Sequence, residues 1–186
     1  YVDAYARLCE MSTKAAREID PNLKFHMAGG LWPRSFRLDV LNAGAGKWID
    51  ALPVHYSNGS GIAQARADLD SFGLQNVEVW DNETARDEQN WGQTAVEQIK
   101  VTHLSNWIMN QFADELVAGA ARIIYFGGEG SYSGGYSYVM DDMTPRPNAV
   151  TLAVFNAKLF DAEGIGVITL GKSGVIHAFE RNGETV

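Results

Sequence analysis

Groups that can exchange protons or hydrogen-bond a polar ligand lie at the ends of two strand-like segments of this sequence. Residues 77–85, VEVWDNETA, alternate apolar and charged side chains as a half-buried strand does, and the alternation breaks around Glu83. Residues 48–56, WIDALPVHY, form a second such segment, which ends at His55 and Tyr56. A carboxylate beside an imidazole and a phenol could act in catalysis, provided that the fold brings the two strand ends together.

The elements that must position these residues alternate between helix and strand along the first 160 residues. An amphipathic stripe predicts a helix over residues 1–19, which Asp-Pro-Asn at 20–22 ends. Pro53 is unfavourable within the second strand because proline has no N–H for the ladder. Further helices are predicted over 36–41, 62–72, 94–117 and 148–159, with Gly73 as the cap of the second of these, and strands over 23–28, 48–56, 77–85 and 122–126.

Four strand–helix repeats predict an α/β fold with a parallel sheet. A four-stranded parallel sheet with two open edges is unfavourable, because its edge strands leave backbone groups unpaired. About 160 residues for four repeats suit half of a (β/α)8 barrel, whose full length is roughly 250 residues or more. We therefore expect residues 1–161 to form the second half of a TIM-type barrel, strands 5 to 8. An open doubly wound sheet is the alternative, although no Gly-rich phosphate loop supports a nucleotide-binding version.

The pattern changes at Ala162, after which short apolar segments are joined by KS and NG. Asn-Gly between two strand-like segments is a strong hairpin signal. We expect residues 162–186 to be the truncated start of an antiparallel, β-sandwich-like accessory domain.

Composition and charge narrow the classes of function. A net charge of −8 disfavours binding to nucleic acid or to anionic lipid, since both require clustered Lys and Arg. The single cysteine, Cys9, cannot form an internal disulfide, and no apolar run of about 18 residues predicts a membrane span. The first residues resemble no signal peptide, and because the chain lacks an initiating Met and opens within a helical pattern, we expect the true N-terminus to lie upstream.

Barrel enzymes carry their active sites at the carboxyl ends of the strands. The strand-end residues here are Gly29, Gly30, His55, Tyr56, Asn82, Glu83 and Phe126 to Glu129. By strand alternation, if Glu83 points into the barrel mouth, Asp81 and Val79 lie on the same side below it, whereas Trp80 and Asn82 face the helices. Sugar rings stack on aromatic planes, so the aromatic residues of the predicted loops suit a carbohydrate cleft. These are Trp32, Trp91, Tyr125, Phe126, Tyr132 and Tyr136.

Three segments in order resemble the retaining glycoside hydrolases of clan A. VEVWDNETA resembles the seventh strand of that clan, WIDALPVHYS the sixth, and the segment from 1 to 30 resembles the helix after strand four and the fifth strand. The resemblance implies a glycosidase that cleaves a β-linked sugar with retention, without a cofactor, and with Glu83 as nucleophile. From their position at the predicted barrel mouth, we expect substrate contacts from His55, Tyr56, Trp32, Trp91, Tyr125 and Glu129. Many members of the clan are exported, although the sequence leaves the compartment open.

The sequence departs from the clan pattern in three respects. Asn82 stands where threonine is common, and no tryptophan follows the segment IIYFGG. No Asn-Glu motif precedes the first helix, so the acid/base glutamate is expected upstream of Tyr1, in a missing N-terminal half-barrel that the activity requires. These 186 residues alone are therefore expected to be inactive.

Two other functions remain open from the sequence. His55, Asp81, Glu83 and Glu129 could bind Mg²⁺ or Mn²⁺ in a barrel isomerase or lyase, although Asp81 and Glu83 lie at different depths on one strand. A carbohydrate-binding barrel without catalysis is the other alternative. The sugar, the linkage, endo or exo action and the oligomeric state stay open.

Overall fold

A computed structural model of the chain describes residues 1–85, 95–127, 139 and 142–186. Helices and strands follow the order expected from the sequence, except that the strand expected over residues 23–28 is missing. Among the described residues, two short 3-10 helices, Ala45–Trp48 and Gly171–Ser173, accompany them. The α-helices are α1 Val2–Ile19, α2 Arg34–Asn42, α3 Gly59–Ser71, α4 Ala95–Val117 and α5 Pro147–Leu159, and the strands are β1 Ala51–His55, β2 Glu78–Thr84, β3 Ala120–Tyr125, β4 Glu163–Thr169, β5 Val175–Arg181 and β6 Glu184–Thr185.

The chain divides into two compact units. One comprises residues 1–83 and 119–124, and the other comprises residues 84–118 and 125–186. Strands β4 to β6 thus belong to the same unit as helices α4 and α5. The predicted domains, 1–161 and 162–186, stay a prediction.

Strands β1, β2 and β3 form one sheet in that order, and β1 pairs with β2 in parallel. The strand predicted over residues 23–28 is reduced to a single parallel bridge between His26 and Ala51. The Asp50 carboxylate accepts the N–H of Phe25 at 2.7 Å, which ties this segment to β1 at one point. The described residues therefore form a three-stranded parallel sheet, and the four strands of a half-barrel, like the closed barrel, are not seen among them.

Pro53 lies inside β1 without disrupting the sheet. Its partner across the ladder is Trp80 of β2, and β1 is the edge strand of the sheet. An edge strand tolerates proline because the missing N–H can face away from the ladder.

Helix α3 begins directly after the end of β1 and is held by local signals. The Asn58 side chain caps it by accepting the N–H of Gly61 at 2.9 Å. At its other end Gly73 has φ +72°, the left-handed conformation that glycine adopts without strain, and Leu74 donates its N–H to the carbonyl of Leu69. The predicted role of Gly73 in ending this helix is confirmed.

Strands β4, β5 and β6 form a second, antiparallel sheet. Asn182 and Gly183 join β5 to β6 with φ +55° and +82°, the two positive values that a tight hairpin turn requires. The hairpin predicted from Asn-Gly is confirmed.

No helix among the described residues combines the length and the apolar character needed to cross a bilayer.

Candidate active site

A register shift in the β1–β2 ladder decides which side chains share a face at the strand ends. Pro53 pairs with Trp80 and Val54 with Asp81, but His55 pairs with Glu83, so one extra residue lies in β2 between the last two pairs. Paired residues of neighbouring strands point to the same face, and therefore Trp80, His55 and Glu83 share one face. The expectation that Trp80 and Glu83 face opposite ways is wrong, because the bulge reverses the alternation on which it relied.

The structure brings Glu83, Tyr56 and His55 together on that face. The Tyr56 hydroxyl donates to Glu83 Oε1 at 3.1 Å, and His55 Nδ1 lies 3.8 Å from Glu83 Oε2. The Glu83 side chain is 36% exposed and that of His55 is 29% exposed. A carboxylate that is hydrogen-bonded on one oxygen and open to solvent can still react with an incoming ligand.

Tyr56 reaches Glu83 through an unusual backbone conformation. Its N–H donates to the Glu83 carbonyl at 2.8 Å and completes the ladder, after which its own φ is +47°. A left-handed conformation costs roughly 1–2 kcal/mol for a residue other than glycine and persists only where its surroundings hold it. The next N–H, of Ser57, donates to Asp81 Oδ2 at 2.9 Å. The sharp turn at Tyr56 is thus held by hydrogen bonds on both sides.

Two glycines hold the imidazole of His55 in place. A Cβ added to Gly29 would lie 1.8 Å from His55 Nε2, and one added to Gly30 would lie 3.1 Å from Nδ1. The loop backbone therefore packs directly on the ring, as only glycine allows. Gly29 and Gly30 follow a strand-like segment in the sequence, and this doublet is the signal that could have identified the contact.

A polar cluster lies further down the same face, around Trp80. The Trp80 indole donates to Glu78 Oε2 at 2.7 Å, Arg122 lies 4.9 Å from the ring, and His26 packs against it at 5.4 Å. Burial raises the pKa of Glu78, but hydrogen bonds from Lys24 and Trp80 outweigh it and leave that pKa below its usual value. Glu78 is thus an ion-paired residue, unlike Glu83 at the end of the same strand.

The other predicted substrate residues are placed as follows. Trp32 is 82% exposed, and Phe126 is 51% exposed. Tyr125 is buried, with its ring 6.5 Å from that of Phe112. Trp91, Glu129, Tyr132 and Tyr136 lie outside the described residues, so the predicted roles of Trp91 and Glu129 stay predictions.

Within the part of the chain that the structure describes, no group of three or more His, Cys, Asp or Glu side chains could hold a metal ion. Asp81 uses its carboxylate for the backbone N–H of Ser57 and is fully buried.

Comparison with known proteins supports the fold. The chain has a TM-score of 0.73 and 14% sequence identity with a family 39 glycoside hydrolase from the gut symbiont Bacteroides cellulosilyticus WH2, covering 97% of this chain and 42% of that one. It has a TM-score of 0.62 and 14% identity with a glucosidase from Croceicoccus marinus, covering 89% of this chain and 38% of that one. The sequence matches no protein-family model and no curated protein. The chain thus resembles part of each of these two structures in fold and spans less than half the length of either.

Proposed function

We propose that the chain is the nucleophile-bearing part of a retaining glycoside hydrolase that cleaves a β-linked sugar. One observation carries this proposal: a half-exposed glutamate, Glu83, accepts a hydrogen bond from Tyr56 at the end of a parallel strand. The likeness in fold to two glycosidases supports the class of enzyme. The resemblance of the strand-end segments to clan A supports the roles of individual residues.

Glu83 acts as the nucleophile in this proposal. Its ionised carboxylate attacks the anomeric carbon and forms a glycosyl–enzyme ester, which water then hydrolyses, so that two inversions give net retention. The Tyr56 hydroxyl stabilises the negative charge on Oε1 before attack. His55 Nδ1, at 3.8 Å from Oε2, is too far for a direct hydrogen bond but close enough to contact a sugar held there.

A second carboxyl group must protonate the leaving oxygen. In retaining enzymes it lies about 5–5.5 Å from the nucleophile. Asp81 is unsuited, because it is fully buried and bound to the backbone of Ser57. We propose that a glutamate from a preceding half-barrel of the whole protein supplies this proton, and that activity requires that half.

The sugar is bound by the residues around the strand ends. His55 and Tyr56 hydrogen-bond its hydroxyl groups, and Trp32, whose ring is exposed, offers a stacking surface. The substrate contacts predicted from the sequence for Trp91, Tyr125 and Glu129 stay predictions.

Covalent trapping tests the nucleophile directly. The chain joined to its proposed upstream half is incubated with a 2,4-dinitrophenyl 2-deoxy-2-fluoro-β-glycoside, whose leaving group needs no proton. We expect mass spectrometry to find the fluorosugar on the peptide that contains Glu83. The Glu83→Gln variant should not be labelled, and it should lose at least about a thousandfold in kcat, since residues that act directly in the chemistry contribute on this scale.

Glu78→Gln is the matched control, because Glu78 lies on the same strand and the same face but is paired with Lys24 and Trp80. It should keep its label at Glu83. Labelling of another carboxylate, or full activity of Glu83→Gln, would contradict the proposal. Loss of activity in EDTA would instead support the metal-dependent alternative.

An assay of the 186 residues alone tests whether a second carboxyl group from outside this chain is needed. We expect no hydrolysis of an aryl β-glycoside with a poor leaving group. If the isolated chain hydrolyses such a substrate and Glu83→Gln abolishes the reaction, the acid/base residue lies within this chain and the upstream half is not required.

A further inference from the structure

Asp81 is a fully buried carboxylate next to the candidate site, and the proposed chemistry does not use it. Its side chain is 0% exposed, and it sits in β2 two residues before Glu83. Burying a charged group is unfavourable unless hydrogen bonds compensate for the lost water. The partners of this carboxylate therefore indicate its purpose.

Both oxygens of Asp81 face backbone N–H groups at the site. Oδ2 accepts the N–H of Ser57 at 2.9 Å, and Oδ1 lies 3.4 Å from the N–H of Glu83. The second contact runs from a side chain to the amide two residues later, which is the pattern of an Asx-turn. An Asx-turn within a strand competes with the regular ladder and leaves one residue unpaired.

The unpaired residue coincides with the register shift. Val54 pairs with Asp81 and His55 pairs with Glu83, so Asn82 is the extra residue of the bulge. Without the bulge, strand alternation would turn Glu83 away from the face that carries His55. The bulge, and with it the Asx-turn of Asp81, therefore determines the direction of the Glu83 side chain.

The hydrogen bond from the Ser57 N–H to Asp81 affects Tyr56, the residue that donates to Glu83. Tyr56 holds φ at +47°, and the next amide in the chain is the one that Asp81 accepts. Without an acceptor for that N–H, the left-handed conformation would lose a main compensation for its strain. The Tyr56 ring would then be free to leave Glu83.

We propose that Asp81 is a positioning residue, which sets the orientation of Glu83 through the bulge and that of Tyr56 through the amide of Ser57. Its purpose in catalysis rests on the proposed role of Glu83, but its geometric effect does not. It touches no substrate and takes no part in proton transfer.

Nuclear magnetic resonance of the full 186-residue chain tests this without any sugar. The unsubstituted chain should show a scalar coupling across the hydrogen bond between the Ser57 amide nitrogen and the Asp81 carboxylate carbon. It should also show a nuclear Overhauser effect between the Tyr56 ring and the Glu83 methylene protons. These two signals report the hydrogen bond and the site geometry separately.

Asp81→Ala removes both acceptor oxygens, whereas Asp81→Asn keeps one. In Asp81→Ala we expect amide exchange at Ser57 to accelerate roughly tenfold or more, as loss of a hydrogen bond to a charged acceptor predicts, and the Tyr56–Glu83 signal to disappear. In Asp81→Asn the amide oxygen still accepts the Ser57 N–H, so the Tyr56–Glu83 signal should persist. Rescue by asparagine separates positioning from a general need for negative charge.

Asp50→Ala is the matched control. Asp50 also accepts a backbone N–H, that of Phe25, and binds Arg17, but it lies at the opposite end of β1. This variant should be less stable yet keep the Tyr56–Glu83 signal.

The proposal is overturned if Asp81→Ala keeps the Tyr56–Glu83 signal, or if Asp50→Ala loses it to the same extent. If Asp81→Ala does not fold, absence of the scalar coupling in the unsubstituted chain overturns the proposal equally. Failure of covalent trapping at Glu83 would refute the proposed function and leave these outcomes unchanged.

Discussion

Two carboxylates of the same compact unit have opposite environments. Asp68 on α3 is 2% exposed and is bound by Arg34 at 2.6 Å and by Arg37 at 2.5 Å. Glu83 at the end of β2 is 36% exposed, with a phenol at 3.1 Å and an imidazole at 3.8 Å. The chain thus surrounds one carboxylate with two full positive charges and leaves the other accessible with neutral or weakly basic neighbours.

The difference separates stability from reactivity. Burial raises the pKa of Asp68, but the hydrogen bonds and charges of Arg34 and Arg37 outweigh it and hold that pKa below its usual value. A carboxylate in such a pair is a poor nucleophile, because its lone pairs are occupied and no ligand can reach it. Glu83, by contrast, stays accessible to a ligand, and in our proposal the buried carboxylate of Asp81 orients it.

The largest expected effect comes from removing the buried carboxylate. Asp68→Ala leaves two guanidinium groups without their partner and should lower the free energy of unfolding by about 3 kcal/mol. This value is at the lower end of the range for breaking a buried ion pair, because Arg34 is half exposed. Glu83→Gln should change it by no more than about 0.5 kcal/mol. Urea denaturation measures both, and an equal loss in the two variants would refute the contrast.

Asp70→Ala is the control for Asp68→Ala, since Asp70 lies on the same helix and pairs with Arg66 at 3.0 Å on the surface. An exposed pair one turn apart contributes only about 0.3–0.5 kcal/mol. A cost close to that of Asp68→Ala would mean that burial does not distinguish the two pairs.

An intermediate effect is expected at the glycine that packs on His55. The Cβ of Gly29→Ala would lie 1.8 Å from Nε2, so the ring must move, at a cost of about 1–3 kcal/mol for overpacking. The His55 ring resonances should shift and covalent trapping at Glu83 should slow. Gly166→Ala, where a Cβ meets nothing within 4 Å, should cost less than about 0.5 kcal/mol and leave His55 unchanged. Unshifted His55 resonances in Gly29→Ala would show that the ring is not held by this loop.

The smallest effect concerns acid stability. Because the pKa of Asp68 is lower in the folded chain than in the unfolded chain, the stabilisation it contributes is present above the unfolded value, near 3.9, and declines as the pH falls through the folded value. The free energy of unfolding of Asp68→Asn should therefore fall less on acidification from pH 5 than that of the unsubstituted chain. Urea denaturation at each pH measures these free energies of unfolding. If they fall in parallel for the variant and the unsubstituted chain, the loss of stability in acid does not come from Asp68.

Local signals predicted the elements of this chain well. Gly73 ends α3 and Asn182–Gly183 turns the hairpin, since both depend on the conformational freedom of a few consecutive residues. The strand predicted over 23–28 failed for the opposite reason: a strand exists only where a partner pairs with it, and this segment meets β1 at a single bridge. Part of the site could also be predicted from the sequence, because His55, Tyr56 and Glu83 lie at the ends of segments with strand-like composition.

By itself, the amino-acid sequence determined the order of the helices and of all strands except the one predicted over 23–28. It also placed a carboxylate, an imidazole and a phenol at strand ends, because periodicity and turn chemistry are properties of neighbouring residues. Only the tertiary structure decided that Glu83 shares a face with Trp80 and His55, that Tyr56 adopts a left-handed conformation and that Asp81 binds Ser57. Each of these depends on hydrogen bonds between segments distant in the chain, and one unpaired residue in β2 reverses the direction of the side chains that follow it.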